Sequence, residues 1–239
     1  MFCGRFLLFV QMHAIVVAAG SSRRMGFDKL LAPLAGRSVL WHSIRALAKC
    51  AEVTGFTLVV RSELIVEMRG LAESASLGKA VSIVEGGAER HLSVSAGLAT
   101  LEEDGFVAIH DAARPLVTPE AVAGCLALAR STGAASCAAP VADTLKRGDA
   151  AGLVAGGVDR TGLWAMQTPQ IFSNRLIREA YAQVLEEGAL VTDEVSAVER
   201  LGRPVALYHN GEWNMKITFP QDIALAETIL ASRGKAGEA

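Results

Sequence analysis

The chain has 239 residues, of which 51% are hydrophobic, and its 23 basic residues nearly balance 25 acidic ones, for a formal net charge of -2. That length supports a continuous core, and the charge balance offers no basic field to hold a nucleic-acid backbone. Cys3, Cys50, Cys125 and Cys137 are scattered, with no Cys-x-x-Cys pair, which argues against structural zinc and a disulfide framework and suits a reducing, cytoplasmic setting.

Residues 1–12 read as an extra N-terminal tail. Arg5 followed by Phe6–Val10 has the look of a secretory signal, but the apolar run is too short and no small-residue cleavage site follows. No stretch reaches the roughly 18 apolar residues of a membrane-spanning helix. A single domain is expected over residues 13–233, with a frayed end from Gly234 to Ala239. Short β-rich runs recur at 14–18, 56–60, 80–84, 106–110, 134–141 and 204–208, and amphipathic stretches separate most of them. This alternation predicts an α/β fold with a mostly parallel sheet covered by helices on both faces.

Leu40, Ile44 and Leu47 define one buried helical face, and Val94, Leu98 and Leu101, after Ser93, repeat the spacing. Thr118-Pro119-Glu120 starts a helix over 119–131, with the threonine as N-cap. Thr218-Phe219-Pro220-Gln221 starts another over 220–231, with a capping-box glutamine. Asp143 to Arg160 is rich in Gly and Asp and predicts a hairpin around Arg147-Gly148-Asp149, part of an arm over about 141–162. Such a segment is either a surface excursion or an arm that packs on a partner.

Three clusters carry chemistry. After the first strand come Ala18-Ala19-Gly20-Ser21-Ser22-Arg23-Arg24-Met25 and then Lys29. Small residues let backbone amides approach a phosphate chain, and the cations beyond neutralise it. The run is neither the dinucleotide fingerprint nor a Walker A loop, since Gly-x-Gly-x-x-Gly and Gly-Lys-Ser/Thr are both absent. The second cluster is Glu85-Gly86-Gly87-Ala88-Glu89-Arg90, where glycines let backbone lie against a flat base and Ser93 either caps a helix or bonds a nucleotide. The third is His110-Asp111-Ala112-Ala113-Arg114-Pro115. An acidic residue at the C-terminal edge of a parallel strand sits where doubly wound sheets bind ligands, so Asp111 holds a metal or a ribose hydroxyl, and Arg114 locks Asp111 or its loop. His110 reads as a packed structural histidine, because an already ionised phosphate nucleophile needs no base. Asp159-Arg160, Gln167-Thr168-Pro169-Gln170, Thr192-Asp193-Glu194 and Asn214-Met215-Lys216 are polar islands that add cations and hydroxyls for a second phosphate.

In this order these strings resemble the 2-C-methyl-D-erythritol 4-phosphate cytidylyltransferase family, from about residue 13 to residue 231. His110–Pro115 and Thr168-Pro169-Gln170 are its specific parts, whereas the glycine turn is shared with many nucleotide-sugar pyrophosphorylases. The resemblance implies a Rossmann-like nucleotidyltransferase fold and transfer of CMP from CTP to methylerythritol 4-phosphate with release of pyrophosphate. It further implies a magnesium ion and a homodimer joined by exchanged arms. Arg24 and Lys29 would contact the CTP phosphates and Lys216 the α-phosphate, as the catalytic cations. Ala18, Ala19, Gly20, Ser22, Gly87, Ser93, Asp111 and Ala112 would form the nucleotide site, with Asp111 at the ribose or the magnesium. Thr192, Thr168, Arg114 and the partner's copy of Arg160 would hold the acceptor. Two departures from the family pattern stand out. Ser22 replaces a common second glycine, and Asp28 precedes Lys29 where a Pro-Lys pair is usual after a longer loop. Molybdopterin-type transferases share such a shortened loop, and the later motifs separate them. The rival readings are a cytidylyltransferase for another polyol phosphate, such as ribitol 5-phosphate, and a non-catalytic nucleotide-binding module.

Overall fold

The computed structural model describes residues 11–20, 27–102, 104–209 and 211–236. Strand β1 (Met12–Val17) leads into a small hairpin, β2 (Pro33–Leu34) and β3 (Arg37–Ser38), and then helix α1 (Val39–Ala48), whose N-cap Ser38 accepts from Trp41 N at 3.2 Å. Strand β4 (Val53–Val60), a 3₁₀ turn at Ser62–Leu64, helix α2 (Ile65–Ala75) and strand β5 (Ala80–Glu85) follow. Next come α3 (Arg90–Leu98), β6 (Phe106–Asp111), α4 (Pro119–Thr132) and β7 (Ala134–Pro140). The excursion holds β8 (Leu145–Gly148) and β9 (Val154–Val158), after which β10 (Trp164–Ser173) returns to the main sheet. Helices α5 (Asn174–Glu186) and α6 (Glu194–Arg200), strand β11 (Ala206–Tyr208) and helix α7 (Gln221–Ala236) complete the described chain.

The main sheet runs β11-β7-β10-β6-β1-β4-β5. All its pairings are parallel except the two made by β10, which is antiparallel to β6 and β7. Successive strand residues face opposite layers. Ala14, Val16, Phe56, Leu58 and Ala108 therefore join one core with Leu40, Ile44, Met68 and Val122, from α1, α2 and α4. Ile15, Val59, Val107 and Ile109 join a second core with Val94, Ile177 and Val198, from α3, α5 and α6. Covering both faces is what makes the central strands read as unbroken apolar runs. A third cluster docks Ala226 and Ile229 of α7 against Leu34, Leu116 and Ile217, which fixes the chain beside Lys216.

The expected α/β architecture is present, with several corrections. Met12 is fully buried in β1, so it belongs to the fold rather than to a tail. Helix α3 starts at Arg90, which places Ser93 inside its first turn. The Ser93 hydroxyl lies 3.1 Å from the Glu89 carbonyl, a back-bond within the helix rather than an N-cap. Thr118 does cap α4, accepting from Ala121 N at 3.2 Å. The start of α7 is held differently from the expected capping box. Asp222 reaches back to Thr218 N and Phe219 N at 2.7 and 2.8 Å, because a first-turn carboxylate satisfies two free donors at once. This helix continues through Ala236, past the expected frayed boundary at Gly234. The hairpin forms, with its turn displaced to Asp149–Leu153, where the Asp149 carboxylate accepts from Ala151 N and Leu153 N at 2.9 and 2.8 Å.

Candidate active site

The site forms where β1 and β6 end side by side, Val17 opposite Asp111. Ala18, Ala19 and Gly20 leave β1, Asp111-Ala112-Ala113 leave β6, and the loop after β5 supplies Gly87 to Arg90. With Lys29, Ser93 and Lys216 they line a cavity of about 360 Å³, a volume suited to a small ligand. The glycines of the β5 loop serve close approach rather than flexibility. A Cβ on Gly86 would lie 2.5 Å from the Ala19 side chain and 2.9 Å from Ser93 Oγ, and one on Gly87 would lie 2.4 Å from Leu92 Cβ. The two loops can meet only because both are built from small residues.

A second cavity of about 420 Å³ adjoins the first. Arg114, Thr168, Thr192 and Ser196 line it, and Arg90, Asp111 and Lys216 are common to both. Those three side chains form the wall between the two spaces. Lys216 Nζ lies 2.9 Å from Asp111 Oδ2, Arg90 Nη2 lies 3.3 Å from Oδ1, and Arg114 Nε lies 3.5 Å from Oδ2. Burial alone would raise the Asp111 carboxyl, but Lys216 and then Arg90 hold it well below the usual carboxylate range. Arg90 also grips both oxygens of the fully buried Glu194. Burial and the Glu194 charge push the Tyr181 hydroxyl up, so it stays a donor to that carboxylate. The cluster sets Arg90, Arg114 and Lys216 against Asp111 and Glu194, so these five groups balance to a single positive charge.

Hydrogen bonds fix the direction of several polar groups around this wall. His110 is fully buried and lies 3.1 Å from the Arg114 carbonyl through Nε2 and 3.0 Å from Thr168 Oγ1 through Nδ1. The carbonyl can only accept, so Nε2 carries the proton and the Thr168 hydroxyl donates to Nδ1 while accepting from Asp111 N at 3.0 Å. Burial lowers the His110 pKa to about 4, so the ring is neutral and structural. Lys29 Nζ donates to the Ile217 carbonyl at 2.9 Å, which brings this lysine across 188 positions of chain to the residue that follows Lys216. Ile217 N in turn donates to the Ala113 carbonyl at 2.8 Å, and Asn214 Nδ2 to the Thr168 carbonyl at 2.8 Å.

The profile of the 2-C-methyl-D-erythritol 4-phosphate cytidylyltransferase family matches residues 12–232. The chain belongs to this family. A cytidylyltransferase of that name from Dehalococcoides mccartyi strain CBDB1 is 38% identical over 91% of this chain and 95% of its own length. One from Prochlorococcus marinus strain MIT 9313 is 41% identical over 93% and 99%. Among solved structures, the 4-diphosphocytidyl-2C-methyl-D-erythritol synthase of Anaerococcus prevotii superposes with a TM-score of 0.81 at 29% identity, covering 93% of this chain and 99% of that one. The Thermus thermophilus cytidylyltransferase gives 0.76 at 30% identity, covering 91% and 98%.

Of the residues the family resemblance points to, the structure brings Ala18, Ala19, Gly20, Lys29, Gly87, Ser93, Asp111, Ala112 and Lys216 to the first cavity. Arg114, Thr168 and Thr192 line the second, together with Asp111 and Lys216. Ser22 and Arg24 lie outside the described residues. Arg160 lines neither cavity of its own chain; it sits exposed at the base of the arm and donates to the Ala142 carbonyl. Sequence reasoning assigned no role to Arg90, Glu194 or Gln170. Gln170 Oε1 accepts from Glu194 N and Val195 N, both at 3.1 Å, while its amide donates to Asp193 at 2.9 Å, so it holds the start of α6 against the second cavity. No group of three His, Cys, Asp or Glu that could hold a metal ion occurs among the described residues.

Proposed function

We propose that the two adjoining cavities bind CTP and 2-C-methyl-D-erythritol 4-phosphate. The chain transfers CMP to the acceptor phosphate, giving 4-diphosphocytidyl-2-C-methyl-D-erythritol and pyrophosphate in the non-mevalonate route to isoprenoids. The observation that carries the reading of the site is the shared wall, where Lys216 and Asp111 stand between the two spaces with Lys29 beside them.

In this reading CTP occupies the first cavity, its base against the Gly87 loop and Ser93 and its phosphates beside Ala18–Gly20, Lys29 and Arg24. The acceptor phosphate occupies the second, held by Arg114 and Thr192, with Thr168 shaping the floor. An oxygen of that phosphate attacks the α-phosphorus in line, the bond to the β-phosphate oxygen breaks, and pyrophosphate takes the electron pair. The nucleophile is already ionised, so the protein's task is to position two polyanions and neutralise them. Lys216 turns from Asp111 to the α-phosphate, and Asp111 keeps Arg90 and Arg114 as partners when it does, so no buried carboxylate is stranded.

The lack of a three-residue cage among the described residues fits a magnesium ion that would be held mostly by the CTP phosphates. Asp111 is the residue that would hold it, and the ion would supply charge neutralisation on the phosphates. The arm places Leu153 and Val154 in solvent, 66% and 71% exposed, which supports a homodimer in which each arm packs on its partner and carries Arg160 to the partner's acceptor cavity. Cys50, Cys125 and Cys137 are buried free thiols, which supports a cytoplasmic setting.

Pyrophosphate release, measured with each of the four nucleoside triphosphates against methylerythritol 4-phosphate and ribitol 5-phosphate, tests the reading. CTP with methylerythritol 4-phosphate should turn over fastest. Faster turnover of ribitol 5-phosphate would reassign the acceptor, and no release with any pair would leave only nucleotide binding.

A further inference from the structure

Asp28 directly precedes Lys29, and the structure shows where its charge goes. Asp28 does not face the cavity. Its Oδ1 accepts from Leu30 N at 3.0 Å and its backbone carbonyl accepts from Leu31 N at 3.2 Å, so residues 28–31 form a tight turn closed by the side chain. Its Oδ2 pairs with Arg61 Nη2 at 2.5 Å. Arg61 directly follows β4, an interior strand of the sheet, so the pair ties the lysine-bearing turn to the rigid part of the fold. Lys29 is the second residue of that turn, and its ammonium reaches the Ile217 carbonyl at the cavity edge.

We infer that Asp28 and Arg61 together form a positioning device for the triphosphate-binding lysine. Asp28 closes the turn that aims Lys29 into the cavity, and Arg61 neutralises the carboxylate that would otherwise repel the triphosphate and compete for the lysine. This rests on the reading that places Lys29 on the CTP phosphates. The side-chain turn stiffens the backbone before Lys29 but brings a carboxylate with it, and the chain needs Arg61 as a consequence.

Charge and turn geometry can be separated, because asparagine keeps the Oδ1 acceptor for Leu30 N and loses only the charge. The experiment measures CTP affinity by titration calorimetry, with unfolding temperatures as a check, for Arg61→Met, Arg61→Lys, Asp28→Asn, Asp28→Ala, the double variant Asp28→Asn/Arg61→Met, and Lys29→Ala. Arg61→Met should weaken CTP about five-fold at low salt, the scale of one unneutralised charge close to a polyanion. The defect should shrink in about 0.5 M salt, where the Debye length falls to only a few ångströms. Arg61→Lys and the double variant should bind within about two-fold of the parent, since lysine keeps the counter-charge and the double variant removes the Asp28 charge together with its partner. Asp28→Ala should be weaker than Asp28→Asn, because only alanine opens the turn. A double variant as weak as Arg61→Met, or an Arg61→Met protein that binds like the parent, overturns the inference. Lys29→Ala reports separately on the parent reading: if it binds CTP normally, Lys29 is not a phosphate ligand, whatever the other variants do.

Discussion

Glu194 is fully buried, and its charge is tolerated because Arg90 meets both oxygens and Tyr181 donates to one. Removing one member of such a pair leaves the other buried and uncompensated, which typically costs about 3–5 kcal/mol. Glu194→Ala is therefore expected to lower stability on that scale in chemical denaturation, whereas exposed Glu187→Ala, whose pair with Arg200 is solvated, should leave it nearly unchanged. Equal losses would show that the Arg90 cluster is not what anchors this corner of the fold. Lys216 sits on the same wall but is 39% exposed, so its truncation should spare stability and act on the reaction. If it stabilises charge mainly in the transition state, Lys216→Ala should lower kcat by roughly 10²–10³ with the unfolding midpoint unchanged. Near parental turnover would remove it from the chemistry. The sequence shows Asp111 and Lys29 as candidates because each follows a recognisable strand or small-residue turn. Arg90 is visible as a member of the glycine-turn cluster, but its role is not, because that depends on Asp111 and Glu194, 21 and 104 positions away.

At the scale of elements, β1, β4, β5, β6 and α4 are legible because each carries its own local signature, an unbroken apolar run or a Thr-Pro start. Strand β10 is not. Its Gln167-Thr168-Pro169-Gln170 stretch reads as a polar island, yet it lies between β6 and β7. The pairing with β7 shifts register between Met166 and Gln170, which accommodates a proline that has no N–H to give. The same irregular stretch supplies Thr168 and Gln170 to the site. Gln170→Ala would strip the first amides of α6 of their acceptor, at about 1–3 kcal/mol. By loosening Thr192 it should raise the acceptor KM more than that for CTP, and equal changes in both would deny α6 a role on the acceptor side. The central strands also carry the acid sensitivity of the fold. Burial lowers the pKa of His13 in β1 and His110 in β6 from 6.5 to about 4. Between those values the unfolded chain binds the extra protons, so stability is complete above pH 6.5 and is lost progressively down to about pH 4. Denaturation midpoints measured from pH 7.5 to 4.5 should fall accordingly. His13→Gln, which does not titrate, should reduce the slope by roughly a third to a half, since His110 and His42, which burial also lowers, still titrate, and an unchanged slope would place the sensitivity elsewhere.

The whole molecule presents a seven-stranded sheet with an arm whose two strands, among the described residues, pair only with each other. The arm is legible as an excursion because it is poor in large apolar residues, whereas the surface proposed to receive it carries no signal in the sequence of one chain. What the arm does depends on whether Arg160 serves its own acceptor cavity or that of a second subunit. A mixed-dimer experiment separates the two. Lys216→Ala and Arg160→Ala chains are each expected to be strongly impaired as homodimers, since one lacks the α-phosphate lysine and the other the arm arginine. When the two are co-expressed and arms are exchanged, one cavity of each heterodimer loses both residues and the other keeps Lys216 from its own chain and Arg160 from its partner. Random pairing makes half of the dimers mixed, so about a quarter of all cavities regain the full set and pyrophosphate release should return to about a quarter of the parental rate. If Arg160 acts within its own chain, no arrangement of these two variants assembles an intact cavity, and the mixture stays as inactive as its components.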